Sequence, residues 1–344
     1  MSKIMSFVSG TIVIAMLVMV IGTIGVNRWL STPVNINEDT LITVKKGDTL
    51  SQLARELESR HIIPSAKLLV VYARLTQQTT INVGEYILPV GSNHQSLLAL
   101  LRSDDVIRYS VTLVEGKTFD DFIRVLQSNN DLIHMLDIES DYADLLSQLA
   151  IDVEHPEGWF FPDTYQFVSG MSDVDILQQA HKKMQRVLEE EWQKKSANLP
   201  YNNAYEALIM ASIIEKETGV PYERPEIAGV FVRRLNKGMR LQTDPTIIYG
   251  LGREYQGNIR RKHLRQKTPY NTYVIDGLPP TPIAMPGREA IHAALHPKAG
   301  NTLFFVAKGD GSHQFSQTLA QHNRAVRKYQ IEQRREQYQS APSQ

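Results

Sequence analysis

Between Ile4 and Val26 no side chain is charged, and Ile, Val, Met and Leu dominate the run. At about 1.5 Å per helical residue, such a segment crosses a hydrocarbon core of about 30 Å. A cleavable signal peptide has a shorter apolar core and ends in small residues, whereas Asn27-Arg28-Trp29-Leu30 follows here. The pattern predicts a transmembrane anchor over 4–26. A linker over 27–39 follows, polar at Ser31, Thr32, Pro33, Asn35 and Asn37.

Past the linker, strand and helix periods alternate. Ile42-Thr43-Val44 reads as a strand, Gly47 as a turn and Asp48 or Thr49 as an N-cap, with Leu50, Leu53, Ala54 and Leu57 on one helical face. The same grammar returns later. Leu113, Gly116, Thr118, Phe119, Phe122, Ile123 and Leu126 occupy the places of Val44, Gly47, Thr49, Leu50, Leu53, Ala54 and Leu57. A repeated strand-turn-helix unit explains this, and so does the commonness of such junctions. Between the copies, Ile81 to Leu88 reads as a strand and Ser96 to Leu101 as a helix. These segments predict a small α+β domain over 40–105 and a second small module or connecting region over 106–155.

His155-Pro156-Glu157-Gly158 breaks the pattern, and Trp159 to Tyr165 is the densest aromatic stretch. Residues 173–198 read as one amphipathic helix burying Ile176, Leu177, Ala180, Met184, Val187 and Leu188, stopped by Leu199-Pro200. Asn203 and Glu206 have capping-box spacing. The run Ala207 to Ile214 is apolar nearly all round, which predicts a buried helix, and Gly219 offers its C-terminal stop. Phe304-Phe305-Val306 and Phe315 flank Gly309-Asp310-Gly311-Ser312 as the arms of a hairpin. A larger α+β domain is expected over 156–330, and residues 331–344 as a flexible tail. The fold class is α+β, with a single N-terminal transmembrane helix and two folded regions.

Charge narrows the partners. Lys plus Arg and Asp plus Glu both count 37, so the formal net charge is zero, which argues against nucleic acid as a partner. The chain has no cysteine, which suits an oxidising compartment. Lys3 precedes the apolar run and Arg28 follows it, so the positive-inside count is nearly balanced. With the missing cysteines, the reading favours a cytoplasmic N-terminus, the bulk of the chain across the membrane, and Trp29 at the outer interface.

Candidate chemistry centres on Glu215-Lys216-Glu217 at the end of the buried helix. A carboxyl there faces the negative end of the helix dipole and, partly buried, titrates high, as a general acid must. Lys216 opposes that shift. Two residues apart on a helix, Glu215 and Glu217 diverge by about 200°. They supply one acid and not the facing pair that a two-carboxylate glycosidase needs. Two solvated glutamates fit the same pattern, and nothing in it prefers Glu217 to Glu215. Gln242, Thr243, Asp244 and Tyr249, on a turn closed by Pro245, suit sugar binding, orientation of the acid, or turn chemistry alone. Tyr270, Asn271 and Tyr273 suit a sugar cleft or core packing equally.

Rival sites are weaker. Ser212 and Lys216 share a helical face, but their spacing is not the S-x-x-K of penicillin-binding enzymes. His292 and His296 have zinc-helix spacing without the glutamate, and His313 or His322 would have to complete a metal site. Gly309 to Ser312 lacks the lysine of a phosphate loop.

Several long motifs carry a resemblance. Glu157-Gly158-Trp159-Phe160-Phe161-Pro162-Asp163-Thr164-Tyr165, Ala211 to Thr218, and Met239 to Gly250 are similar to the endolytic murein transglycosylases of the MltG type. So are Tyr270-Asn271-Thr272-Tyr273, Gly277-Leu278-Pro279-Pro280 and Ala294-Leu295-His296-Pro297. The likeness spans nearly the whole chain, and residues 42–57 also resemble the lysin motif, a module that binds N-acetylated glycans. The resemblance implies that Glu217 is the catalytic glutamate, cutting between N-acetylmuramic acid and N-acetylglucosamine within peptidoglycan strands. It further implies a 1,6-anhydro product, no metal or organic cofactor, an inner-membrane location with a periplasmic bulk, and action on nascent strands beside wall synthases.

Overall fold

Helix α1, Ser2–Ser31, opens a computed structural model that describes residues 2–137 and 139–333, the side chains of 2–13 and 15 excepted. The first half of the expected anchor thus lies outside the described side chains. Among the described residues, no helix is long and apolar enough to cross a membrane. The end of α1 is held by protein. Leu30 is buried, and Trp29 packs 6.1 Å from Tyr72 and 4.5 Å from His94 between ring centroids. The ring expected at a membrane interface is half-buried and packs on these two side chains.

The chain divides into two units, residues 1–109 with 166–171 and residues 110–165 with 172–344. In the first lie β1 (Thr40–Val44), α2 (Leu50–Ser59), α3 (Ala66–Leu75), β2 (Gly84–Leu88) and α4 (His94–Leu100). Strands β1 and β2 pair antiparallel, Thr40 opposite Leu88 and Val44 opposite Gly84. Thr49 caps α2 in a reciprocal capping box with Gln52. Asp48 instead accepts a bond from Lys45 N at 2.8 Å, closing the turn in which Gly47 takes φ +92°. Strand β2 begins later than the sequence pattern suggests. Asn82 turns away to bond Leu101 O through its backbone and Arg102 and Ser103 carbonyls through its side chain.

The repeat holds as local structure. After β3 (Arg108–Leu113), α5 (Phe119–Gln127) is boxed by Thr118 and Asp121 and buries Phe119, Phe122, Ile123 and Leu126, as α2 buries its own four. Gly116 takes φ +74° in the place of Gly47. The strands pair differently: β1 with β2, but β3 with β4 (Asp163–Val168), which follows α6 (Tyr142–Gln148).

The second unit is built round a buried helix. Its remaining elements are α7 (Asp173–Trp192), α8 (Ala204–Glu217), α9 (Arg224–Asn236), α10 (Asp244–Leu251), α11 (Arg261–Arg265), α12 (Arg288–Leu295), β5 (Phe304–Ala307), β6 (His313–Ser316) and α13 (Leu319–Val326). Every residue of α8 from Ala207 to Glu215 is buried, and the helix packs on α7, α9, α10 and α12. Burial of a Leu or Ile side chain contributes roughly 1.5–3 kcal/mol, so this apolar run secures the helix that carries both glutamates. Asn203 caps α8 through Glu206 N at 3.0 Å. The Glu206 carboxylate bonds Asn202 instead, so only half of the expected box forms.

Three other boundaries depart from the sequence reading. Helix α8 ends as Thr218 turns extended, at φ −148° and ψ 134°, so Gly219 does not make the stop. Helix α7 ends at Trp192, and Ser196 N is drawn to Leu295 O of α12 at 3.0 Å. Asp244-Pro245 opens α10 rather than closing a turn. Proline suits a first helical turn, where the backbone N–H has no partner in any case. The β5–β6 hairpin forms as expected, Ala307 opposite His313. Most of the expected tail lies outside the described residues.

Candidate active site

The two glutamates at the end of α8 meet different surroundings. Glu215 is 2% exposed. Its Oε1 accepts from the Arg224 guanidinium at 3.1 Å and its Oε2 from Gly287 N at 2.9 Å. Burial and the Glu115 charge push its carboxyl up, while Gly287 and Arg224 hold it down. With both oxygens occupied, Glu215 ties the end of α8 to Arg224 and to the start of α12.

Glu217 faces the other way and is half-buried. The Thr243 hydroxyl donates to its Oε1. Loss of hydration lifts its pKa to about 7, the neighbouring Asp244 charge adds to the rise, and the Thr243 bond and the Arg234 charge oppose it. Near neutral pH this carboxyl is divided between its acid and base forms. It can give a proton and take one back with little cost either way.

Thr243 is held as tightly as its role on Glu217 requires. It is 2% exposed. Its N–H donates to Thr272 Oγ1 at 3.1 Å, and its carbonyl accepts from Thr246 Oγ1 at 2.8 Å. Gln242 N donates to Thr272 O at 3.1 Å. Arg234 braces the preceding residues: its guanidinium donates to Leu241 O at 2.8 Å and Leu303 O at 2.7 Å and lies over the Phe304 ring. Gln242 bends at φ +52°, an uncommon conformation for a residue with a side chain, and stays exposed. The Tyr273 hydroxyl donates to Asp244 Oδ1 at 2.7 Å.

Thr243, Asp244 and Tyr273 therefore gather about Glu217, while the Gln242 side chain meets Arg234. Tyr249 and Tyr270 serve a second buried acid. Tyr249 donates to Glu157 Oε2 at 3.0 Å, Phe119 N donates to Glu157 Oε1 at 3.1 Å, and the two tyrosine rings meet edge-on. Burial pushes the Glu157 carboxyl up to about 8. Asn271, expected to line a sugar cleft, is 1% exposed. Its amide donates to His263 O and Gln266 O, and its carbonyl oxygen accepts from Tyr273 N, so this side chain is closed to substrate. The roles of Arg234, Thr246, Thr272 and Glu157 carry no local sequence signal, because each depends on at least one partner far along the chain.

The rival constellations do not assemble. Ser212 is fully buried, donates to Ile209 O and accepts from Ile283 N, while Lys216 reaches Gly116 O at 3.0 Å. His313 pairs with Glu223 and His322 stacks on Phe304, so neither completes a site with His292 and His296. Among the described residues, Glu191 is the group that meets those two histidines. Arg288 already occupies its other oxygen at 2.8 Å.

The known proteins that this chain resembles agree with one another. It is 31% identical over 315 residues to the endolytic murein transglycosylase of Bacillus subtilis, covering 87% of this chain and 85% of that one. It is 26% identical over 329 residues to the endolytic murein transglycosylase of Streptococcus pneumoniae, of which it spans 59%. The crystal structure of a putative yceG-like protein from Listeria monocytogenes superimposes with a TM-score of 0.52 at 30% identity, covering 83% of this chain and 99% of that one. A profile of the YceG-like family matches residues 42–328, a stretch that takes in most of both units and every group around Glu217, and the chain belongs to that family.

Proposed function

We propose that the protein is an endolytic murein transglycosylase with Glu217 as its acid and base. The observation that carries this reading is one half-buried carboxyl, pushed up to about 7 and fixed by Thr243, in a chain similar to two murein transglycosylases. Protonated Glu217 gives its proton to the glycosidic oxygen between N-acetylmuramic acid and N-acetylglucosamine as the muramoyl C1–O bond breaks. The carboxylate then takes the proton of the muramoyl C6 hydroxyl, whose oxygen bonds to C1 and closes a 1,6-anhydro ring. Glu217 ends protonated, and no water is consumed.

The test is digestion of purified murein with mass-resolved products. Anhydro ends support the reading, and their loss in Glu217→Gln assigns the residue. Reducing ends alone point to a hydrolase in which Asp244, close enough to raise Glu217, activates water.

The same reading places residues 4–26 in the inner membrane as a single pass, with a cytoplasmic N-terminus and a periplasmic catalytic unit near nascent strands and wall synthases. It is supported by the exposed apolar side chains at 14, 16–21 and 24 and by the lack of cysteine. A C-terminal alkaline phosphatase fusion should be active in cells, and an inactive one reverses the topology. The lysin-motif-like module at 40–105 would hold glycan, which retention of residues 40–105 on insoluble murein tests.

A further inference from the structure

A chain without net charge carries one dense local run of cations. Between α10 and Tyr270 stand Arg253, Arg260, Arg261, Lys262, Arg265 and Lys267, with Glu254 the one acid among them. All six basic side chains are exposed, and none forms an ion pair with a described carboxylate. Arg261, Lys262 and Arg265, with Gln266, line an open depression of about 610 Å³ on α11.

The position of this patch gives it a use. Asn271 donates to the carbonyls of His263 at 2.9 Å and Gln266 at 2.7 Å, which locks α11 to the buried loop 271–272. The next residue, Thr272, bonds the backbone of Thr243, and Thr243 bonds Glu217. The cationic surface is thus fixed to the same loop that sets the proposed catalytic carboxyl.

We propose that the α11 surface binds the carboxylates of the peptide stems carried by the glycan substrate. The inference rests on the murein-cleaving reading and adds which part of the substrate is recognised. Three observations favour a carboxylate-bearing strand. Most of the cations are arginines, whose planar guanidinium matches a carboxylate two bonds at a time. The surface is tied through Asn271 and Thr272 to the loop that supports Glu217. No large apolar side chain between Tyr222 and Leu319 is exposed, so the surface lacks the wedge with which a basic segment enters a bilayer.

The experiment compares uncrosslinked strands bearing stems with the same strands stripped by an amidase, using the full chain in detergent. Exposed ion pairs contribute roughly twofold each, so Arg261→Gln/Lys262→Gln/Arg265→Gln should raise KM on stem-bearing strands roughly eightfold. Its kcat, and its KM on stripped strands, should stay at the wild-type values. Added salt should raise the wild-type KM on stem-bearing strands alone. An equal change on both substrates, no change on either, or a defect confined to sedimentation with anionic phospholipid vesicles overturns the proposal. Should the wild type release no anhydro ends, the transglycosylase reading fails by itself. Retention on insoluble murein with and without stems then decides the surface, since stem-dependent binding that the triple variant loses supports it and stem-independent binding refutes it.

Discussion

Removing the charge of Glu217 should make the protein more stable as pH rises. In the folded chain this carboxyl titrates near 7, against an ordinary value of 4.5. A carboxyl whose folded pKa is raised costs nothing below its unfolded value, where both states hold the proton. Between pH 4.5 and 7 the unfolded chain releases that proton while the folded chain keeps it, and stability falls. At about 1.36 kcal/mol per pH unit, the full cost above pH 7 is about 3 kcal/mol. Glutamine keeps the shape and an acceptor for the Thr243 hydroxyl but does not titrate. Glu217→Gln should therefore match the wild type near pH 4.5, after any constant offset, and exceed it by about 3 kcal/mol at pH 8.5. For a unit of this size that is roughly 6–12 °C in Tm. Thermal unfolding of both proteins from pH 4.5 to 8.5 measures it, alongside a loss of turnover of about 100-fold or more. A stability difference that does not grow with pH would refute the claim that burial holds this carboxyl in its acid form.

Other substitutions probe the same network. Thr243→Val removes the bond that lowers the Glu217 pKa, and Asp244→Asn removes the charge that raises it. The alkaline limb of the kcat profile should move up in the first and down in the second, and movement in one common direction rejects these assignments. Tyr249→Phe leaves the buried Glu157 carboxyl without its hydroxyl donor, a loss of about 1–3 kcal/mol by denaturant titration. Gly158 takes φ +85°, and a Cβ there would sit 2.4 Å from Pro282 Cγ. Gly158→Ala should cost at least about 1–2 kcal/mol, read as a lower urea midpoint.

How much of this could be read in advance depends on the range of the forces involved. The faces of α2 and α5 were legible because caps and apolar spacing act within a few residues, and Thr49 and Thr118 make the same box. Burial of α8 was legible for the same reason. Its ends were not, since Glu206 answered to Asn202 and the helix stopped two residues before the glycine. The divergence of Glu215 and Glu217 follows from helix geometry alone. Their separate fates do not, because Arg224 and Gly287 reach Glu215 from other elements. Asn271 shows the same limit: a buried amide that satisfies loop carbonyls and a sugar-binding amide look alike in sequence. Only the observed bonds to His263 and Gln266 separate them.

The site also explains why consecutive residues should both border one carboxyl. A group that must act first as acid and then as base works best when neither form is strongly preferred. Burial alone favours the acid form, and a salt bridge alone would favour the base. At Glu217 burial and the Asp244 charge push one way, while the Thr243 hydroxyl and the Arg234 charge push the other. Thr243 and Asp244 stand at the start of one helix, so a single backbone position sets both influences. Its conformation is in turn fixed by Thr272, Thr246 and the Gln242 bend. Displacing that helix start would disturb both opposing terms together, so the loop at 271–272 should matter to turnover although no atom of it need touch the sugar.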